Sequence, residues 1–162
     1  MMRLAPQEIR TFFVTAITWQ RRPIFRAEPL AHLFVETLYR YRDQRRFLLH
    51  EFVLMPDHFH LLLTLAFDVS LEKALQLIKG GFSFRVKREM KSNIEIWQEG
   101  YTEHRVLDSN DYQRHAIYIQ NNPVRKGLTE SASAYPYSSS APGARTDSGP
   151  PWLKPEVEGV SF

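Results

Sequence analysis

Two apolar runs, Phe47–Met55 and His58–Phe67, are separated only by Pro56-Asp57. A two-residue break leaves no room for a crossover connection, so the runs predict antiparallel neighbouring strands. The second run, HFHLLLTLAF, is almost continuously apolar, as expected of a strand covered on both faces. Upstream, Thr11–Trp19 (TFFVTAITW) is aromatic and β-branched and stops at an Arg-Arg-Pro turn, which predicts a first strand. Behind Pro29, Leu30, Leu33, Phe34, Leu38 and Tyr41 recur at helical spacing and predict a helix over about 29–43.

Ser70 is placed to cap a second helix, whose apolar positions Leu71, Leu75, Ile78, Phe82, Val86 and Met90 step along one face. Gly80-Gly81 in its middle costs about 1 kcal/mol per glycine relative to alanine, so the helix either bends there or admits a close neighbour. Ile94–Trp97 is a short strand candidate. Asp108 or Ser109 then caps a third helix that is expected to end near Asn122, because Pro123 disfavours helical geometry before it. The order strand, helix, strand, strand, helix, strand predicts an α+β ferredoxin-like sandwich with an antiparallel sheet, followed by the third helix. A single domain over 1–128 and a poorly ordered Ser/Pro/Gly-rich tail over 129–162 are expected.

With 162 residues, 43% hydrophobic and 24% charged, the chain is too apolar for intrinsic disorder and is sized for one core. Its longest apolar stretch, Leu61–Phe67, is far short of the ~20 residues a membrane span needs. The absence of cysteine excludes disulfides, thiolate zinc sites and cysteine nucleophiles, and the first ten residues lack a secretory apolar region. A cytoplasmic address and no membrane partner are therefore expected. The net charge is only +3, but the basic residues cluster in two regions, from Arg21 to Arg46 and from Lys79 to Lys91. Such clusters are either an electrostatic footprint for nucleic acid or solvated helix faces.

Two groups of residues carry chemistry. His58 and His60 flank Phe59 at a strand start, and a period of two puts both imidazoles on one face. Such a pair is either two hydrogen-bonded histidines or two-thirds of a metal site that still needs a third protein ligand. On the third helix, Tyr118 and Asn122 are one turn apart, with Asp111, Arg114 and His115 preceding on the same face, while Tyr112, Ala116 and Ile119 form a separate stripe suited to burial. Alone, Tyr118 reads equally as a packing residue. Together, His58, His60 and Asn122 describe a site of two nitrogens and an oxygen that suits Mg2+ or Mn2+, with a phenol alongside. A cation that polarises a phosphate oxygen beside a phenol is what single-tyrosine phosphodiester transfer requires.

Four segments carry a resemblance: Met55–Leu62 (MPDHFHLL), Trp97-Gln98 with Tyr101, Tyr118–Leu128 (YIQNNPVRKGL) and Tyr135–Ser139 (YPYSS). In order and spacing the chain resembles, from about Phe12 to Ser139, the REP-associated tyrosine transposases, an insertion-sequence 200-like group of the HUH (histidine-hydrophobic-histidine) endonuclease superfamily. The resemblance implies a metal-dependent single-stranded DNA endonuclease and strand transferase of bacterial origin, cutting beside hairpin-forming repetitive palindromes, in the cytoplasm at the nucleoid. It also implies His58, His60 and Asn122 as ligands of Mg2+ or Mn2+, and Tyr118 as the nucleophile that forms a 5′-phosphotyrosine link. Departures are Asp57 where asparagine is common, Phe59 where valine is common and Tyr137 where tryptophan is frequent. Arg21, Arg22, Lys79, Arg85, Lys87 and Arg88 are the expected phosphate contacts, with Arg114 and His115 beside the tyrosine either steadying the scissile phosphate or lying at the surface. The family includes both dimers and monomers, so a homodimer is left open. Two other readings stand at this point: a non-cutting hairpin-binding relative, and an unrelated small metal-dependent hydrolase in which Tyr118 is core.

Overall fold

The computed structural model describes residues 10–151 and 153. Its elements run β1 (Thr11–Ile17), α1 (Glu28–Asp43), β2 (Phe47–Met55), β3 (His58–Leu65), α2 (Leu71–Glu89), β4 (Thr102–Arg105) and α3 (Ser109–Arg125), with three short 3-10 turns besides. The strands form one antiparallel sheet in the order β2-β3-β1-β4, the open ferredoxin-like arrangement expected from the element order. Met55 pairs with His58, so Pro56-Asp57 is a two-residue hairpin turn. Among the described residues no helix is long and apolar enough to cross a membrane.

One face of the sheet is covered by α1 and α2. Val14 and Ala16 of β1 and Phe59, Leu61, Leu63 and Leu65 of β3 meet Phe34, Leu38, Ile78 and Phe82 there. The other face carries α3, where Val53, Met55 and Leu62 pack against Tyr112, Ala116 and Ile119. A bulge in β2 sets this division: the register shifts between Leu49 and Glu51, leaving His50 as the extra residue. Phe47 and Leu49 before it, and Phe52 and Leu54 after it, all face α1 and α2, whereas Val53 and Met55 turn to α3. A regular strand would have kept positions 47, 49, 51, 53 and 55 on one side.

Three sequence expectations are corrected. The fourth strand is Thr102–Arg105 and not Ile94–Trp97. The latter segment makes only an isolated bridge, Thr18 to Trp97, and contributes buried Ile96 and the half-buried Trp97 ring to the α1/α2 core. Its aromatic and β-branched residues fill a hole between layers, which periodicity cannot distinguish from strand pairing. Second, α3 does not end at Asn122 but continues through a buried Pro123 to Arg125, since a proline in the last turn sacrifices one backbone bond and the Asn122 carbonyl is still capped by the Lys126 N–H. Third, the expected poorly ordered tail is attached over much of its length. Tyr135 Oη donates to the Leu54 carbonyl at 2.5 Å, Ser138 bridges Val53, and Asp147 accepts from Arg42 (2.8 Å) and from the Leu49 N–H (2.8 Å). Tail residues beyond 153, and Trp152, lie outside the described residues.

The Gly80-Gly81 pair is explained by a close approach. A Cβ built at Gly81 would collide with the Tyr41 hydroxyl of α1 and stand 2.9 Å from its ring, whereas Gly80 faces open space. We expect Gly80→Ala to stabilise the protein by about 0.5–1 kcal/mol through helix propensity. Gly81→Ala should forfeit that gain by displacing Tyr41. Thermal melts of the two variants side by side check this, and equal stabilisation by both would discount the contact.

Candidate active site

Strand alternation puts Phe59 in the α1/α2 core, fully buried, and turns His58 and His60 to the α3 face. Their rings lie 4.8 Å apart, centroid to centroid, and His60 lies 5.3 Å from the ring of Tyr118 on α3. Each imidazole is oriented through its Nδ1. His58 donates to Asp57 Oδ1 at 2.6 Å, and His60 pairs with the Thr15 hydroxyl of β1 at 2.7 Å. Each Nε2 is thereby left for another partner, in the arrangement by which a carboxylate or hydroxyl sets the tautomer of a metal-binding histidine. Burial pushes Asp57 upward, but the hydrogen bond and charge of His58, together with Arg21 3.5 Å away, outweigh it and hold the carboxyl below its usual range.

His60 is 6% exposed, and this burial, with the neighbouring His58 and Arg125 charges adding to it, drives its pKa down to about 3. The ring is therefore neutral at physiological pH, the form in which imidazole binds metals. Asn122, one turn beyond Tyr118, is wholly buried. Among the described residues, the buried side-chain polar atoms without a hydrogen-bond partner are His60 Nε2, Asn122 Nδ2 and Asn122 Oδ1. An unmet buried polar group costs about 1–3 kcal/mol, so the atoms on His60 and on Asn122, one turn beyond the Tyr118 ring that His60 touches, call for a further partner. Two imidazoles and an amide oxygen are a donor set that suits a divalent cation.

Tyr118 itself is 36% exposed, with its ring packed edge-on against Phe13 and the Arg125 guanidinium 4.7 Å over its face. Its hydroxyl is thus carried by a ring that is held from two sides yet open to an incoming substrate.

The profile of the family described as Transposase IS200 like matches residues 11–122, which span β1 to Asn122. The chain belongs to this family. Among curated proteins it is 30% identical over 98 residues to the REP-associated tyrosine transposase of Escherichia coli K12, covering 60% of this chain and 56% of that one. It is 34% identical over 96 residues to a Haemophilus influenzae protein assigned to the same group, covering 53% of this chain and 54% of that one. The chain thus spans little more than half the length of the curated relatives it matches. A solved structure of a REP-associated tyrosine transposase bound to a REP hairpin superposes with a TM-score of 0.66 at 25% identity, covering 93% of this chain and 92% of the other.

In this member of the family the basic residues expected to meet phosphate do not form one surface. Arg21 and Arg22 are exposed beside the histidines, Arg21 paired with Asp57 and Arg22 stacked 4.6 Å over Trp19. Gln20 and Arg21 reach this position through left-handed backbone, φ 54° and 51°. Lys79 and Arg85 are engaged within the fold. Lys79 donates to the carbonyls of Gln98 (3.1 Å) and Gly100 (2.7 Å), and Arg85, its side chain 13% exposed, bonds Glu89 and Thr37 and lies 3.6 Å from Glu36. Lys87 and Arg88 are exposed on α2, across the sheet from Tyr118. Arg114 and His115 lie on the α3 face of Tyr118, both bound to Asp111.

Sequence reasoning passed over Phe13, Thr15 and Arg125. Phe13 stacks on His60 (5.3 Å) and against His115 (4.6 Å), and with Thr15 it forms the α3-facing positions of β1. The available signal was the alternation of Val14 and Ala16, which face the opposite core, but nothing local marks which face of a strand will carry the chemistry.

Proposed function

We propose that this chain is a metal-dependent single-stranded DNA endonuclease and strand transferase that cuts beside hairpin-forming, REP-like palindromes. The observation that carries the reading is the group of unsatisfied buried atoms on His60 and Asn122 next to a partly exposed tyrosine. The relatives' names and the hairpin in the similar solved structure support the substrate class. His58, His60 and Asn122 would hold the cation. Mg2+ or Mn2+ bound there supplies charge neutralisation on a phosphate oxygen and orients the phosphodiester.

The protein's own groups do the rest. Tyr118 Oη attacks phosphorus, forming a tyrosine–phosphate bond as the bond to the 3′-oxygen breaks. The phenolic proton is lost and the leaving 3′-oxygen gains one, giving a 5′-phosphotyrosine and a free 3′-hydroxyl. Because one ester replaces another, the step is reversible and uses no nucleotide cofactor. Phe13 and Arg125 hold the phenol ring so that its oxygen does not have to be ordered at the moment of attack. Asp57 and Thr15 fix the imidazoles. Arg21 and Arg22, beside His58, would grip backbone phosphates; Lys87 and Arg88 would do so only if the nucleic acid extends over α2.

The test is a denaturing gel of the protein with labelled single-stranded hairpins from the host's own repeats, with Mg2+ or Mn2+ and with EDTA. A metal-dependent labelled band that stays on the protein is expected. Hairpins bound but never cut would favour the non-cutting relative. The phosphate grip is checked separately: Arg21→Ala with Arg22→Ala should lower the slope of log affinity against log salt by about 1.5, and an unchanged slope removes the pair from the footprint.

A further inference from the structure

A second set of metal-type donors lies outside the histidine pair, where the edge strand β4 meets the first turns of α3. We propose that His104, Asp111 and His115 form a second divalent transition-metal site, with its remaining coordination positions open to solvent. One ligand atom from each of the three lies within 4.8 Å of the others. His104 Nε2 is 2.7 Å from Asp111 Oδ2, and His115 Nδ1 is 3.2 Å from Asp111 Oδ1 and 2.8 Å from the Asp111 carbonyl. His104 thus aims Nε2 at the carboxylate, where a metal can replace the shared proton, and His115 Nδ1, hydrogen-bonded to the Asp111 carbonyl, stands within reach of the same carboxylate.

The donors are placed by regular structure and not by loops. His104 is opposite Phe13 in the β1–β4 ladder, and Asp111 sits in the first turn of α3, its N–H bonded to the N-cap Asp108 at 2.7 Å. The rings of His104 and His115 are nearly parallel, 24° apart with centroids at 4.7 Å, and Phe13 supports His115 from below. The Asp111 side chain is 11% exposed, and Arg114, 3.1 Å away, is itself 63% exposed. A largely buried carboxylate whose Arg114 partner is solvent-exposed gains from a bound cation. Two imidazoles and one carboxylate are the donor set of Zn2+, Co2+ or Mn2+ sites with open positions, and favour these over Mg2+. The half-exposed His104 places those positions at the surface. Because His115 and Tyr118 are one turn apart on α3, a metal here would pin to the sheet edge the same helix that carries Tyr118.

The site stands apart from the cation proposed at His58 and His60, and Co2+ titration followed by visible d–d absorption tests the two separately. The full chain carrying His58→Gln and His60→Gln should still take up one equivalent of Co2+, and lose it when His104→Gln and His115→Gln are added. Asp111→Asn, which keeps the side-chain shape, should weaken this uptake more than about tenfold. Circular dichroism establishes that each variant is folded. If the His58/His60 variant does not fold, the comparison is wild type against His104→Gln/His115→Gln, which should differ by one equivalent. Equal stoichiometry in that pair, or no His104/His115-dependent uptake in the other, overturns the second site. Unchanged uptake on replacing His58 and His60 would instead count against the first site and leave the second standing.

Discussion

Tyr118→Phe is expected to lower formation of the covalent protein–DNA adduct and of cleaved product by at least about 10⁴-fold, while hairpin affinity stays within about twofold. The substitution removes one oxygen. The ring contacts that seat the side chain, edge-on to Phe13, 5.3 Å from His60 and under the Arg125 guanidinium, are made by the ring and survive. Affinity comes instead from cations meeting phosphates, of which Tyr118 is not one. Single-turnover assays on denaturing gels, paired with binding isotherms in EDTA, separate the two quantities. Cleavage at the wild-type rate by the phenylalanine variant would reject the tyrosine mechanism. It would favour the hydrolase reading, in which a metal-activated water cuts and Tyr118 merely packs.

His60→Ala should produce the second large effect, a loss of metal affinity of more than about 100-fold with a parallel loss of cleavage at limiting metal, partly recovered by excess Mn2+. His60 is the sharper choice of the two histidines because its Nε2 is buried and unpartnered in the protein alone. Removing the ring opens a cavity in a packed interface but also removes an orphaned polar atom, so metal-free stability should change less than metal-bound stability. Melting temperatures with and without Mn2+ show this as a shrinking metal-induced shift. A shift equal to that of the wild type would place the cation elsewhere. Asp57→Ala should give a milder version, about 10–100-fold, since the carboxylate orients His58 through its Nδ1.

The fold was largely legible because its signals are local. The two-residue Pro56-Asp57 break dictates a hairpin, the spacing of Leu33, Phe34 and Leu38 dictates an amphipathic helix, and the Ser70 cap is realised by its hydroxyl accepting from the Lys73 N–H at 3.0 Å. Ile94–Trp97 has the pattern of a strand without being one because buried loop aromatics and strand aromatics look alike in one dimension. The attachment of the tail is invisible to local patterns because it rests on long-range partners, Leu54, Leu49 and Arg42, each about 80 or more residues away, as the Tyr135 to Leu54 separation of 81 shows.

At the candidate site, the shared strand face of His58 and His60 and the one-turn spacing of Tyr118 and Asn122 are readable in the sequence, since a strand alternates every two residues and a helix returns every three to four. Their surroundings are not. Thr15, Phe13 and Arg125 come from β1 and the end of α3, and only the sheet order brings β1 beside β3. The His50 bulge is a further case: nothing in FLLHEFVLM tells where the alternation breaks, yet it is the break that turns Val53 and Met55 to α3. By itself the sequence determined which groups are candidates for chemistry and which elements present them, because those are short-range properties of a chain. Tertiary structure decided which face those groups share, which cations remain free to meet a phosphate, and which polar atoms are left wanting a partner. Those outcomes depend on register, layer and burial, and they arise only when segments distant in the chain exclude water together.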